Sequence, residues 1–296
     1  MSAGVAVVVR GLGKSYGDVR ALDDASFAVE EGVICGVLGR NGAGKTTALQ
    51  LITGQALPSE GSVEVFGRRP FEDSHAMRML CFIREGQCYP ENFTVAMVLA
   101  AAADLLPHWD AEFADRLLER FNLPRKRRVK KLSRGMTSAV GIVLGLASRA
   151  PLTLFDEPYL GLDAVARQIF YDELLADYAE RPRTVILSTH LIDEVSDLLE
   201  QVVLIDQGRV LLDDTTERLR QRAIVATGPA SAVDLLSAGR NLFSRESMGA
   251  QARAAIEGAW APRDLAAARA MGVEVEQASL QQLVVGVTRG TSVEGN

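Results

Sequence analysis

The sequence predicts an α/β fold built on a mainly parallel sheet, followed by a smaller α+β unit. Short apolar runs such as Val33 to Leu38 and Leu152 to Phe155 are typical of buried parallel strands. Segments with apolar residues at helical spacing, including Val95 to Leu106 and Met136 to Ser148, occur between such runs. This alternation predicts helices packed against a sheet.

The elements of the first 220 residues follow from apolar runs, alternation and helical spacing. The predicted strands are Val5 to Arg10, Ala25 to Val29, Val33 to Leu38, Gly61 to Phe66, Leu152 to Phe155, Thr184 to Ser188 and Val202 to Ile205. The predicted helices are Thr46 to Ile52, Val95 to Leu106, Ala111 to Phe121, Met136 to Ser148 and Ala164 to Glu180. The helical stretch at about 88–150 is expected to form a subdomain inserted between strands.

The order of the predicted elements changes after about Arg222. The predicted order there is β-α-β-β-α-β with a closing helix, and its segments are Ala223 to Thr227, Ala230 to Ala238, Asn241 to Arg245, Ala252 to Glu257, Asp264 to Met271, Val273 to Glu276 and Ser279 to Val285. This order is that of a small ferredoxin-like unit. We therefore predict one domain at 1–220, with its helical subdomain at about 88–150, and an accessory domain at 221–296.

The composition predicts a soluble globular protein, with 48% hydrophobic and 24% charged residues. A net charge of −6 argues against nucleic acid as a partner. No apolar run approaches the roughly 20 residues that span a bilayer, and Met1 to Arg10, interpreted as a first strand, lacks the basic flank of a signal peptide. Cys35, Cys81 and Cys88 have no metal-like spacing. The chain is expected in the cytosol, so any membrane role requires a partner.

A glycine-rich loop follows the apolar run that ends at Leu38 and precedes a predicted helix. It matches the pattern G-x-x-x-x-G-K-[ST] with Gly39, Arg40, Asn41, Gly42, Ala43, Gly44, Lys45, Thr46 and Thr47. Such a loop points successive N–H groups at phosphate oxygens, so it predicts ATP binding. Lys45 should reach the β- and γ-phosphates, and Thr46 should offer its hydroxyl to Mg²⁺.

Two acidic residues end the apolar strand that begins at Leu152. Asp156 and Glu157 therefore lie at the carboxyl end of a buried strand, where ligands bind in open α/β sheets. We expect Asp156 to hold Mg²⁺ and Glu157 to accept a proton from the attacking water.

Further motifs resemble those of ATP-binding cassette (ABC) proteins. Leu132-Ser133-Arg134-Gly135-Met136 looks like the family's signature, usually LSGGQ, and lies about twenty residues before Asp156. The segment from Asp156 to Asp163 resembles the Walker B motif and D-loop, and Ser188-Thr189-His190 resembles the switch histidine. Tyr16 stands where the family places an aromatic residue that stacks on adenine. The resemblance covers about Val5 to Leu219 and implies a phosphate-loop NTPase cassette with a mixed sheet core and a helical subdomain.

The resemblance also implies that each ATP site is shared between two chains. In the family, two cassettes face each other head to tail, and each ATP lies between the phosphate loop of one and the signature of the other. Ser133 and Gly135 would then contact the γ-phosphate bound by the partner chain, and Asp163 would cross the interface. His190 would contact the γ-phosphate and position Glu157 and the water.

The sequence departs from the family's pattern in three places, the third being Gly161 in the D-loop, where serine is common. Phe82-Ile83-Arg84-Glu85 occupies the place of a motif that usually ends in glutamine, so Glu85 would bring a carboxylate to the catalytic metal; Gln87 is the alternative. In the signature, Arg134 and Met136 stand where glycine and glutamine are usual. Arg134 would either assist charge stabilisation at the partner's ATP or point to solvent.

The overall pattern resembles bacterial ABC-2-type exporters. It implies an ATP-binding and ATP-hydrolysing subunit on the cytoplasmic face of the cell membrane, which drives a separate permease by ATP-dependent dimerisation with an identical chain or a close paralogue. The alternative is a soluble, non-transport ABC ATPase that acts on ribosomes or DNA. Such proteins usually carry two cassettes or a long coiled coil, and this sequence has one phosphate loop and no sustained heptad run.

Overall fold

The computed structural model describes residues 4–294, so residues 1–3 of the predicted first segment lie outside the described part of the chain. The described residues form two compact units. One runs to His190 and includes Ile205–Val210, and the other comprises Leu191–Leu204 and the chain from Leu211 onward. The domain boundary at residue 220 stays a prediction.

The first unit contains seven strands in its described residues up to His190. They are β1 (Val5–Tyr16), β2 (Val19–Glu30), β3 (Ile34–Leu38), β4 (Glu60–Val65), β5 (Leu80–Ile83), β6 (Leu152–Asp156) and β7 (Thr184–Thr189). The helices of this unit are α1 (Lys45–Ile52), α2 (Ser74–Arg78), α3 (Val95–Leu105), α4 (Ala111–Arg120), α5 (Arg134–Ala147) and α6 (Ala164–Glu180), with a short 3₁₀ turn at Val129–Lys131.

Strands β1, β2 and β4 form an antiparallel sheet with β1 in the centre. β1 and β2 extend well beyond the predicted Val5 to Arg10 and Ala25 to Val29, because the hairpin continues through polar residues that show no apolar alternation. Exposed charged pairs occupy this polar end, among them Arg20 with Glu60 at 2.9 Å. Register shifts in the β1–β2 ladder accommodate the irregular pattern.

The parallel strands of this unit lie in the order β5-β6-β7-β3. Every residue of β3, β6 and β7 is buried, which explains why apolar residues predominate in these strands. β5 was not predicted, because four residues are too few to separate a strand from other short apolar runs. The carboxyl ends of β3, β6 and β7 are each followed by a segment with a predicted site residue.

Helix boundaries in the helical stretch are set by side-chain caps. The side chains of Thr94, Asp110 and Ser133 accept hydrogen bonds from N–H groups in the first turns of α3, α4 and α5. Helix α5 begins at Arg134, two residues before the predicted start at Met136, because the Ser133 hydroxyl caps it through the N–H of Met136.

The chain beyond His190 continues through α7 (Ile192–Val195), β8 (Gln201–Asp206), β9 (Arg209–Thr215) and α8 (Thr216–Arg220). It then forms β10 (Ala223–Pro229), α9 (Ala230–Ser237), β11 (Leu242–Met248), β12 (Gln251–Glu257), α10 (Pro262–Ala270), β13 (Glu274–Gln277) and α11 (Leu280–Glu294). The short elements α7, α8 and β9 were not predicted, and α11 is longer than the predicted Ser279 to Val285.

Strands β10 to β13 form an antiparallel sheet in the order β11-β12-β10-β13. From β10 to β13 the chain order is β-α-β-β-α-β, as the sequence indicated. Small and branched apolar residues of β10 and β12, including Ile224, Ala254 and Ile256, pack with Val233 of α9 and Ala268 of α10. The assignment of residues 221–296 as a separate ferredoxin-like domain stays a prediction. Within the described chain, no helix has both the length and the apolar character needed to cross a membrane.

Candidate active site

The glycine-rich loop connects buried strand β3 to helix α1, as the motif predicts. Gly44 has φ +110°, and a Cβ there would lie 2.6 Å from the carbonyl oxygen of Ala21, so no other residue fits this position. Gly44 precedes α1 and has no side chain with which to cap the helix. The first N–H groups of this eight-residue helix therefore remain available to an anion. The loop therefore has the geometry of a phosphate cradle.

Lys45 is the first residue of α1 and is 5% exposed. Its ammonium donates to the carbonyl oxygens of Gly39 and Arg40, at 2.9 and 3.2 Å. It also lies 3.2 Å from Oε1 of Glu157. A buried ammonium requires such partners, and these three hold the charge at the base of the loop.

The end of β6 presents two carboxylates with different surroundings. Asp156 is 1% exposed and its Oδ1 accepts a hydrogen bond from the Ser188 hydroxyl on β7. Glu157 is 6% exposed and has φ +47°, a backbone conformation that glutamate rarely adopts. Its N–H is held by Ser188, whose carbonyl oxygen and hydroxyl each lie 3.2 Å away. Such strain persists only where neighbours fix the backbone, and it clusters at functional sites.

The Glu157 carboxylate is contacted from three sides. Lys45 lies beside Oε1, while Oε2 lies 2.9 Å from Nδ1 of His190 and accepts a hydrogen bond from the hydroxyl of Tyr159. Burial, followed by the hydrogen bond to Glu157, raises the pKa of Tyr159 above its ordinary value, so its hydroxyl stays a donor. Sequence reasoning missed Tyr159, because nothing in the pattern after Asp156-Glu157 marks this residue as buried.

One pocket gathers most of the predicted site residues. The predicted residues that line it are Asn41, Gly42, Gly44, Lys45, Thr46, Thr47, Glu85, Glu157 and His190. Arg134 from the start of α5 also lines it. Asp156 is buried at the adjacent strand end. The phosphate loop, the acidic strand end and the histidine after β7 are therefore neighbours in one chain.

Ser133, Gly135 and Asp163, which the resemblance relates to a second chain, do not line this pocket. Ser133 and Asp163 are exposed, and their side chains cap α5 and α6 through hydrogen bonds of 3.2 and 2.8 Å. A Cβ at Gly135 would lie 2.4 Å from the carbonyl oxygen of Gly161, so this glycine permits close packing. Tyr16 is 48% exposed, with the Lys14 ammonium 4.9 Å from its ring centre.

Glu85 and Arg134, which both depart from the family's pattern, contact each other. Glu85 Oε1 lies 3.4 Å from the Arg134 guanidinium, and the two side chains are 47% and 71% exposed. Gln87, the alternative to Glu85, instead uses its Oε1 to accept the N–H of Arg84 at 3.3 Å and lies in an adjacent pocket.

The oxygen donors at this site suit a magnesium ion. Among residues 4–294, no group of three or more His, Cys, Asp and Glu residues could hold a metal ion. Mg²⁺ needs only one or two carboxylates, because phosphates and water complete its shell. The oxygen groups of Asp156 and Thr46 suit that requirement.

The fold and this pocket together define a phosphate-loop nucleotide hydrolase. Residues 22–160 match the family model described as "ABC transporter". The chain is 32% identical over 227 residues to the doxorubicin resistance ATP-binding protein DrrA of Mycobacterium tuberculosis (strain CDC 1551 / Oshkosh), covering 74% of this chain and 68% of that protein. It is 31% identical to the bacitracin transport ATP-binding protein BcrA of Bacillus licheniformis, covering 71% and 70%.

A solved ATP-binding subunit of an ABC transporter superposes with a TM-score of 0.66 at 29% identity, covering 73% of this chain and 92% of that one. The chain therefore belongs to the ATP-binding subunits of ABC transporters, and it is an ATPase whose nucleotide is ATP. The predicted family, cassette fold and ATPase activity are confirmed.

Proposed function

We propose that this chain hydrolyses ATP to drive export through a separate membrane permease, at the cytoplasmic face of the membrane. The observation that carries the proposal is the position of the Glu157 carboxylate. It lies between Lys45 of the phosphate loop, at 3.2 Å, and His190, at 2.9 Å, in the pocket that the loop itself lines. A base placed beside a phosphate cradle is what hydrolysis of a terminal phosphate requires.

In the proposed reaction, Glu157 accepts a proton from a water molecule while the water oxygen forms a bond to the γ-phosphorus. The bond from that phosphorus to the bridging oxygen breaks, and its electrons stay with ADP. Lys45 holds the β- and γ-phosphates, and His190 contacts the γ-phosphate while supporting Glu157. Lys45 would exchange its contact with Glu157 for the phosphates, and this exchange would free Oε1 to receive the proton.

Magnesium fits the acidic end of this pocket. Asp156, Thr46 and Glu85 are the residues that would hold Mg²⁺, which when bound supplies positive charge to the phosphate oxygens. Asp156 is kept in place by the Ser188 hydroxyl. Glu85 has its carboxylate beside Arg134, so its negative charge is partly compensated.

The remaining part of the site is proposed to come from a second ABC subunit, identical or closely related. Ser133 and Gly135 at the start of α5 would reach the γ-phosphate bound by the partner chain, and Asp163 would cross the interface. The exposure of Ser133 and Asp163 supports this role. Tyr16, exposed at the end of β1, would stack on adenine.

Transport is supported by the relatives, whose names concern doxorubicin resistance and bacitracin transport. Export is supported by a further relative, which is 32% identical and is named Nod factor export ATP-binding protein I. A role on ribosomes or DNA is not favoured, since the chain carries a net charge of −6 and has a single phosphate loop.

The transport role is tested by purifying the chain from detergent-solubilised membranes and identifying what binds to it by mass spectrometry. We expect a multi-spanning protein without its own cassette, which raises the ATPase rate when both are reconstituted in vesicles. Recovery of ribosomal proteins or DNA alone would contradict the transport role.

A further inference from the structure

Glu157 is joined in its pocket by a hydroxyl that neither the motifs nor the relatives assign. Tyr159 lies two residues further along the loop after β6 and is 3% exposed. Its hydroxyl donates to Oε2 of Glu157, lies 2.5 Å from Oγ1 of Thr189 and accepts a 3.3 Å hydrogen bond from the N–H of His190. One buried oxygen therefore connects the loop after β6 with the end of β7.

We propose that Tyr159 is a positioning residue that holds the Glu157 carboxylate in the orientation needed to take a proton from water. This inference rests on the proposed role of Glu157 as the base. The hydroxyl acts through Glu157, because it contacts Oε2 and not the Oε1 that is proposed to receive the proton.

The geometry shows why two oxygens need separate anchors. A glutamate side chain can rotate its carboxylate about the last bond, which exchanges the two oxygens. Lys45 lies beside Oε1, whereas Tyr159 and His190 contact Oε2, so the plane of the carboxylate is fixed. When Lys45 turns to the phosphates, the contacts to Oε2 are the ones that remain. A displacement of about 1 Å can lower a rate by roughly 100-fold, so such an anchor matters most for turnover.

The ring of Tyr159 has a different task from its hydroxyl. It packs edge-on against the His190 imidazole, with ring centres 6.1 Å apart and planes at 61°. Tyr159→Phe keeps this packing and removes only the oxygen. The substitution therefore isolates the hydrogen bonds from the ring contact.

The test compares Tyr159→Phe with Tyr89→Phe in the full-length chain, using steady-state ATPase kinetics. The Tyr89 hydroxyl is buried without a hydrogen-bond partner in the described residues, so it provides the same substitution without the anchor. We expect Tyr159→Phe to lower kcat by about tenfold while the KM for ATP changes by less than about twofold. Tyr89→Phe should match the wild type in both constants.

A second variant covers the case in which Tyr159→Phe does not fold, as judged by loss of ATP binding. Thr189→Val keeps the side-chain shape and removes the hydroxyl 2.5 Å from the tyrosine oxygen. It should lower kcat by a smaller factor, about two- to fivefold, again with little change in KM. If Tyr159→Phe folds and keeps wild-type kcat, or raises KM alone, Tyr159 does not position the base. The positioning role is equally overturned if Tyr159→Phe does not fold and Thr189→Val leaves kcat unchanged.

Glu157→Gln, assayed in parallel, separates the two proposals. Loss of turnover in Glu157→Gln with wild-type turnover in Tyr159→Phe overturns only the positioning role. Retained turnover in Glu157→Gln overturns the base itself, and the positioning role with it.

Discussion

The candidate site has two edges, which differ in how deeply their residues are buried and in how many partners those residues have within the chain. The base edge consists of Lys45, Asp156, Glu157 and His190, and its lysine and glutamate are 5% and 6% exposed. Each of these two charges has fixed partners, because a buried ion without partners would be unstable. The signature edge consists of Ser133, Arg134, Gly135 and Asp163 at the starts of α5 and α6.

At the signature edge, Ser133 and Asp163 are exposed, and the Arg134 side chain is 71% exposed. Their side chains form helix caps and one open ion pair with Glu85. Such groups can meet another surface without first leaving a buried network. In the proposed two-chain site, folding of one chain would assemble the base edge, whereas the signature edge would be completed by a second molecule.

The largest expected effect is at the centre of the base edge. Glu157→Gln keeps the size of the side chain and removes the proton acceptor, so ATP turnover should fall by about 100-fold or more. ATP binding should be retained, and size-exclusion chromatography with ATP should show a trapped dimer. An unchanged turnover rate would exclude Glu157 as the base.

The next effect concerns the charge that links the loop to the base. Lys45→Ala removes the contact to the phosphates and also leaves the buried Glu157 carboxylate without its ammonium partner. ATP affinity, measured by isothermal titration, should fall by about 30-fold or more. Wild-type affinity would show that the loop binds phosphate through its backbone alone.

A smaller effect is expected at the signature edge, where the substitution can be chosen to preserve the fold. Ser133→Asp keeps an N-cap oxygen for α5 but places a negative charge toward the proposed partner phosphate. Turnover should fall by about tenfold, while ATP binding to the single chain and the melting temperature stay at wild-type values.

The matched control for Ser133→Asp is Thr94→Asp, which exchanges the equivalent cap of α3 away from the pocket. It should leave turnover unchanged. If Ser133→Asp weakens ATP binding by the isolated chain, Ser133 belongs to the chain's own site and the comparison between the edges fails.

The smallest effect is expected for the exposed pair at 3.4 Å. Glu85→Gln, Arg134→Gln and the double variant should each change the free energy of unfolding in urea by less than about 1 kcal/mol, because exposed ion pairs contribute little. A coupling energy of several kcal/mol would show instead that this pair is part of the folded base edge.

The same contrast explains what the sequence could predict. The phosphate loop and the Asp156-Glu157 strand end follow from local patterns, since apolar strands and glycine spacing determine both. The long β1–β2 hairpin and the four-residue β5 do not follow from such patterns. The hairpin continues through polar residues and β5 is short, so neither leaves a periodic signal in the sequence. Tyr159 could not be found either, because its role depends on the meeting of the ends of β6 and β7, which only the folded chain brings together.

The most direct test of the central claim mixes two impaired variants, Glu157→Gln and Ser133→Asp, before ATP is added. If each site combines the base edge of one chain with the signature edge of another, mixed dimers contain one site with a wild-type Glu157 and a wild-type Ser133. Random pairing should then restore about a quarter of the wild-type ATPase rate. No recovery in a mixture that demonstrably forms mixed dimers would contradict the account, because it would place both edges of each working site in one chain.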